Sequence, residues 1–478
     1  MSETSNAGGL SGMIPRGSLG LKLLLVCLLV LVMGVPLIMV GALVAERQVR
    51  ATSVTGEIGA RAGGVQNVGG PMLLVPYQRL VEATDDQGRT QRRTERGSYV
   101  IFAETGSADA TLEVQERRRG IYRAAVYTAT TDFDAAFRPS TALENVDPSY
   151  RFDWTQARII MFVSDSRAIR NAAELRFQDG ATATFEPVSD LSVPGQAAMA
   201  SYPDTSSSVA PAYQLPGLQA FSAPARLVGG PRDFSIETRL ELTGAQRFAL
   251  AAFAQDTAAT IRGDRRDTRA EGYFQSSEAL SPSDAGFVVS WRVPFVARGL
   301  EKAANLATFN LSLAASRDMA VSFVASDDIY RGVIRAVTYG IMFIGIVFLA
   351  TLIFEVISGK KAHPAQYVLV GLAQCVFYLL LLAITEIIGF TPAFFIAAVA
   401  TVGLLAFYAG ASFRSAAVGI RALVGLSGLY AAMYVLMTLE DFALLAGSVV
   451  AFAVIAATMI ATRRIDWYGR GHGKLDNI

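Results

Sequence analysis

Residues 365–385 read AQYVLVGLAQCVFYLLLLAIT, twenty-one positions without a charge. At 1.5 Å per residue, a helix over this run crosses the ~30 Å hydrocarbon core of a bilayer. Five further uncharged runs cover residues 23–45, 336–354, 391–413, 422–439 and 442–462. One such run fits a buried helix of a soluble core. Five crowded behind residue 335 do not. In lipid each backbone group must find its partner within the segment, which makes every run a helix.

Composition agrees. Only 17% of residues are charged, against about 25% in a soluble domain, and the mean hydropathy is +0.37. The 42 basic and 41 acidic residues balance to a net +1. No global basic field exists, which argues against a nucleic-acid partner. Cys27 and Cys375 both fall inside apolar runs, and His363 and His472 are the two histidines. The first run is longer than the apolar part of a cleaved signal peptide and reads as a signal anchor.

Orientation follows from the basic residues. Arg16 and Lys22 precede the first run, Lys360 and Lys361 lie between runs two and three, and Arg414 and Arg421 between runs four and five. Arg463, Arg464, Arg470 and Lys474 follow the last run. The other short links carry only Glu386, or Glu440 and Asp441. Arg331 and Arg335, at the outer end of the second run, are the one local exception; the alternation puts both termini inside and residues 46–332 outside, which in a bacterium is the periplasm. The organisation read from this is a tail over 1–22, a signal-anchor helix over 23–45, an outer domain over 46–332, a five-helix bundle over 333–462 and a tail over 463–478.

The outer region holds 31 basic and 34 acidic residues, no Cys, no His and one lysine, Lys302. Period-two alternation predicts strands near 71–77, 98–103, 110–115, 120–133, 175–185, 234–242 and 287–293. Strands at that spacing suggest an antiparallel sandwich. The fold class is therefore a membrane bundle of six helices plus a large β-rich periplasmic domain. Seven of the 17 prolines fall between Glu186 and Arg232, with Ser206, Ser207 and Ser208 among them. That stretch reads as a break between two lobes or a long surface excursion.

Catalytic chemistry is narrowly bounded. A Ser-His-Asp triad outside the membrane lacks its histidine. A Ser-Lys pair would need Lys302, which sits beside Glu301 and reads as an ion pair. Carboxylate pairs such as Asp85-Asp86 and Asp327-Asp328 arise freely among so many acids, and none is marked as buried. No P-loop or acidic calcium loop occurs, and the expectation is no cofactor and no metal. Gly63-Gly64, Gly69-Gly70 and Gly229-Gly230 read as turns. Inside the runs Gln374 is expected to bond between helices. Ser427, Gly428, Ala431 and Ala432 read as a helix-packing face. Glu355 and Glu386 lie at run ends. The link Lys360, Lys361, His363, Pro364, Gln366 and Tyr367 sets topology and opens a helix at Pro364; it is also the candidate partner-contact loop.

Several blocks resemble one family. Near the membrane they are Ile329-Tyr330-Arg331, Phe354-Glu355, Lys361-Ala362-His363-Pro364, Gln366 to Ala373, Phe377 to Leu381 and Glu386 to Phe390. Upstream they are Glu46-Arg47, Gly69-Gly70-Pro71, Val75-Pro76-Tyr77, Arg119 to Tyr122 and Gly286 to Trp291. In order and over nearly the whole chain, these are similar to the CreD family of inner-membrane proteins. Residues 186–232 depart from that pattern. The resemblance implies a non-enzymatic part in cell envelope integrity or stress response, exercised through the outer domain on an envelope component. It carries over no reaction, ligand or catalytic residue. A lipid or small-solute transporter and a carboxylate-based glycan hydrolase are the rival readings.

Overall fold

A computed structural model describes residues 19–84, 90–188, 218–277, 281–283, 286–309, 311–323, 327–358, 362–438 and 443–463. The chain divides into two compact units, Met1–Thr52 with Asp327–Ile478, and Ser53–Ser326.

The long helices are α1 (Leu19–Ala60), α2 (Asp327–Ser358), α3 (Pro364–Ile388), α4 (Phe390–Ser412), α5 (Ala416–Thr438) and α6 (Ala443–Thr462). Each carries all or nearly all of one of the uncharged runs. Among the described residues, five helices are long and apolar enough to cross a bilayer. The expected sixth crossing does lie on a helix, α6, but its apolar stretch Gly447–Ile460 is shorter. The described residues therefore support five crossings. α1 also continues to Ala60, so the start of the region expected to be β-rich is helical. The bundle exposes Leu31, Ile38, Val399 and Phe407. That pattern is costly in water and suits lipid.

Small residues let the helices approach. A side chain at Gly371 would meet Met33 Sδ at 2.7 Å and the Phe348 ring at 2.8 Å. α4 and α5 touch at Gly410 and Gly419, where a Cβ on Gly419 would lie 3.3 Å from Gly410 Cα. The packing face expected on α5 is not the one used. Ser427, Gly428 and Ala431 are exposed and Ala432 is half-buried, and α5 instead buries Tyr430, Met433, Leu436 and Met437.

In the other unit, 17 strands among the described residues hydrogen-bond into one network. Its spine is β1 (Gln66–Thr84), β2 (Thr90–Arg119) and β3 (Tyr122–Phe137). β1 and β2 pair antiparallel from Met72 opposite Phe102 to Thr84 opposite Thr90. β2 and β3 pair from Thr105 opposite Ala136 to Arg119 opposite Tyr122, around Gly120 at φ +64°. The expected strands 98–103 and 110–115 are two parts of the one strand β2. The pairing is mixed rather than wholly antiparallel. β1 runs parallel to Arg247–Ala251, and β2 parallel to Ala254–Gly263.

Alternation appears as predicted along Phe234–Ala245, where Ile236, Thr238, Leu240 and Leu242 are buried. The turn at Gly180, φ +82°, joins Glu174–Phe177 to Thr182–Thr184. Gly63, Gly64, Gly229 and Gly230 do sit at positive φ. Gly69 and Gly70 do not turn: they lie inside β1, beneath the rings of Phe162 and Phe253. Glycine in a strand here admits an aromatic ring onto the backbone. The strands Glu186–Val188 and Gln219–Pro224, on either side of the Pro/Ser-rich stretch, pair with each other; residues 189–217, including Ser206 to Ser208, lie outside the described residues. So do Asp85 and Asp86. The core gathers Phe133, Phe137, Phe248, Phe253, Phe287 and Trp291 from many of these strands.

Candidate functional site

The candidate loop enters the structure at residue 362; Lys360 and Lys361 lie outside the described residues. His363 caps α3, its Nδ1 accepting from the Ala365 N–H at 3.2 Å. In return the His363 N–H donates to Gln366 Oε1 at 3.0 Å. Two donors left open at a helix start are thus satisfied reciprocally. Pro364 occupies the first helical position, where no N–H is needed.

One turn on, the buried Tyr367 hydroxyl donates to Glu355 Oε2 at 3.1 Å. Glu355, at the end of α2, is 5% exposed, and Lys22 Nζ of α1 lies 2.6 Å from its Oε1. An isolated carboxylate at that depth would be costly. One cation and one hydroxyl make it tenable. Lys22 and Glu355 were legible only as run-end charges. The missed signal was a carboxylate directly after a long uncharged run, which requires a partner.

Gln366 also lines a cavity of about 490 Å3 formed by α2, the start of α3, the end of α4 and α5. Its walls are mostly Ile, Leu, Val, Ala and Phe, and among the described residues that line it the one charge is Arg421. The sequence placed Arg421 as a topology signal and gave no hint of a cavity. Of the candidate loop, the structure therefore brings His363, Pro364, Gln366 and Tyr367 together in one helical turn. Gln366 faces the cavity and Tyr367 the ion pair.

Glu386, at the end of α3, accepts from Tyr330 at 3.1 Å and lies 4.0 Å from Arg47. Between the two polar ends, Gln374 is buried, but its Nε2 has no hydrogen-bond partner. Among the described residues, the expected interhelical bond is not made by that nitrogen. Tyr378 reaches only Met433 Sδ at 4.0 Å.

The sheet unit offers two surface features. Tyr77, Tyr99, Tyr150 and Phe152 form an aromatic cluster, with four edge-to-face pairs at centroids 4.8 to 5.7 Å and Tyr150 stacked on Phe152 at 6.2 Å. Trp154 extends it, 5.8 Å from Phe152. Asn305 Nδ2 donates to the Tyr77 hydroxyl at 2.8 Å, and that hydroxyl donates to Glu95 at 3.0 Å. Arg79 binds Glu95 at 2.7 Å and lies 4.7 Å over the Tyr150 ring. Phe152 and Trp154 share a shallow groove of about 420 Å3 with Gln78, Arg151 and Asp153. Burial pushes both Tyr77 and Tyr99 up to about 12.

A second groove of about 710 Å3 runs across the strands. Glu237 stands opposite both Asp134 and Arg176, and Asp134 opposite Ser107. Ser107 donates to Asp134 at 3.1 Å, and Asp256 accepts the Phe295 N–H at 3.0 Å. These acids line an exposed sheet face rather than a deep cleft. Lys302, the one lysine of this unit, gives its carbonyl to the Phe102 N–H. No cluster of three or more His, Cys, Asp or Glu with metal-holding geometry occurs among the described residues.

The family model described as inner membrane protein CreD matches residues 18–468. Inner membrane protein CreD of Escherichia coli (strain K12) is 26% identical over 446 residues, covering 92% of this chain and 91% of that protein.

Proposed function

Because the chain belongs to the CreD family of inner membrane proteins, we propose that it supports cell envelope integrity from the inner membrane, without catalysis, by docking its sheet unit on an envelope component. The observation that carries this is the aromatic cluster around Tyr150, Phe152 and Trp154 beside Gln78, Arg151 and Asp153. Apolar rings with a few fixed polar groups are the composition of a binding surface. The proposal includes six crossings, with α6 as the last, both termini inside and residues 46–332 in the periplasm. In it the strand network folds as two layers of a sandwich around the shared core.

The test is complementation of an envelope defect in cells lacking the protein. The variant Phe152→Ala with Trp154→Ala, inserted at normal level, should fail to restore resistance to detergent and should no longer cosediment with isolated cell-wall sacculi. Full complementation by it would remove the aromatic surface from the mechanism. The hydrolase reading rests on Asp134 opposite Glu237. It requires Asp134→Asn with Glu237→Gln to abolish complementation, whereas a docking role leaves complementation intact.

A further inference from the structure

We propose that the cavity between α2, α3, α4 and α5 is a binding site for one anionic phospholipid of the bilayer, its acyl chain in the apolar depth and its headgroup phosphate against Arg421. The proposal stands apart from the docking surface of the sheet unit.

Position comes first. Phe354, Gln366, Ser412 and Arg421 all line the cavity, and all lie within about two turns of a helix end. Its mouth is therefore at the level where helices leave the hydrocarbon. From Phe354 to Ile346, and from Arg421 to Leu429, the lining descends eight residues, or about 12 Å at 1.5 Å each. That depth is walled by Ile346, Val347, Val370, Leu405, Leu426 and Leu429. Its volume of about 490 Å3 falls within the roughly 300–1,000 Å3 of ligand sites.

The cavity has a cause in the sequence. α4 and α5 are held together at Gly410 and Gly419. Gly425, one of the lining residues, has nothing within 4 Å of where its Cβ would be. The helices are thus clamped near one end while a missing side chain leaves space beside it. Packed protein seldom keeps such volume empty, and in a bilayer the available apolar filler is an acyl chain.

Charge selects the headgroup. Among the described residues Arg421 makes no ion pair or side-chain hydrogen bond, and no Asp or Glu lines the cavity. Two other cations of this unit are paired, Lys22 with Glu355 and Arg47 with Glu386, and Arg421 is the one charged group among the described residues that line the cavity. A guanidinium at headgroup depth without a carboxylate favours a phosphate, which it binds through paired N–H donors. Gln366, Tyr408 and Ser412 supply further polar groups to the lining. A zwitterionic lipid would offer the same phosphate with its own cation attached, and so a smaller gain.

The full chain in phosphatidylcholine nanodiscs containing a minor fraction of phosphatidylglycerol provides the test. Native mass spectrometry after release should show retained phosphatidylglycerol enriched several-fold over its bulk fraction. Arg421→Gln should bring that enrichment down to the bulk ratio, and Arg421→Lys should restore part of it. Gly425→Leu, which fills the cavity and removes a glycine from a helix, should reduce retention of every lipid while the protein stays monodisperse. Millimolar inorganic phosphate should not compete, because the acyl chain is half of the site. Equal retention of the two lipids, unchanged enrichment in Arg421→Gln, or displacement by phosphate would each overturn the proposal. Should a variant fail to fold, a photoreactive phosphatidylglycerol on the unaltered protein decides: labelling must concentrate in the lining peptides of α4 and α5, and labelling elsewhere refutes the site.

Discussion

Glu355 and Lys22 are unequal partners. The carboxylate is 5% exposed, while the lysine side chain keeps 39% of its surface. Losing Glu355 leaves a lysine that can extend toward water along its own stem. Losing Lys22 leaves a buried carboxylate, bonded by Tyr367, without that cation. Breaking a fully buried pair costs about 3–5 kcal/mol; discounted for the exposed lysine, Lys22→Met should cost about 2 kcal/mol. Glu355→Gln, which keeps a group for Tyr367, should cost under about 1 kcal/mol. Thermal unfolding midpoints in detergent check the order, and equal losses would show that the pair is not what places α1 beside α2. In the sheet unit the telling residues are tyrosines. Burial raises Tyr77 and Tyr99 to about 12 and raises Tyr127 as well, so each holds its proton more tightly folded than unfolded. Their contribution is complete below about pH 10, the unfolded value, and is lost as pH climbs toward 12. Arg298 acts oppositely. Burial, with Arg317 nearby, pushes it down to about 10, so its folded state gains as pH rises through the same window. Three protons against one leave a net loss. The urea midpoint of the sheet unit should fall between about pH 10 and 12, and Tyr77→Phe with Tyr99→Phe should flatten that fall.

α3 shows what an element's sequence tells and what it hides. Its start was legible: Pro364 after His363 marks a first turn, and the uncharged run after it marks the crossing. The capping role of His363 was not, because histidine is an uncommon cap and its Nδ1 acts only in one ring orientation. His363→Ala should therefore cost about 1 kcal/mol through the lost cap, while His363→Ser, a better cap former, should not. Melting of the full chain in detergent distinguishes them. A loss of envelope function in both variants without loss of stability would instead point to a partner at this loop. β2 hides more. Its apolar stretches read as two strands because Glu104-Thr105-Gly106-Ser107 interrupts the alternation. The interruption is a place where the Phe253 ring lies on the backbone, 2.4 Å from where a Gly106 Cβ would stand. Gly69 and Gly70 misled in the same way. Glycine pairs suggest turns locally, and only the tertiary partner, an aromatic ring far along the chain, reveals close approach. The cavity beside Gly425 was equally illegible, since it depends on four helices that single-helix periodicity cannot place together.

At the scale of the whole molecule, charge and hydropathy carry separate messages. Hydropathy marks the crossings and needs no partner to be read. The alternating basic links set direction, and from them a periplasm-active reporter fused after Ile478 should be silent while one inserted near Ser207 should be active. The opposite pattern would invert the proposed topology and place the aromatic cluster away from the envelope. The sheet unit makes the stronger demand. Ser53–Ser326 is compact by its own contacts. Its core draws on strands from Val68 to Phe323, so first and last strands belong to one cooperative structure. β1 and Asp318–Phe323 both pair with Arg247–Ala251, which closes the sequence ends of the unit onto a common strand. A unit closed this way does not need the membrane to hold its ends together. Residues 53–326 exported alone should therefore be soluble, give a β-rich circular dichroism spectrum and unfold in one transition. The midpoint should not move with reductant, since this span contains no cysteine. The fragment should not restore envelope integrity by itself if anchoring matters. Rescue by the free fragment would reduce the helices to a tether, and a helical or insoluble fragment would show that the sheet depends on the membrane unit to fold.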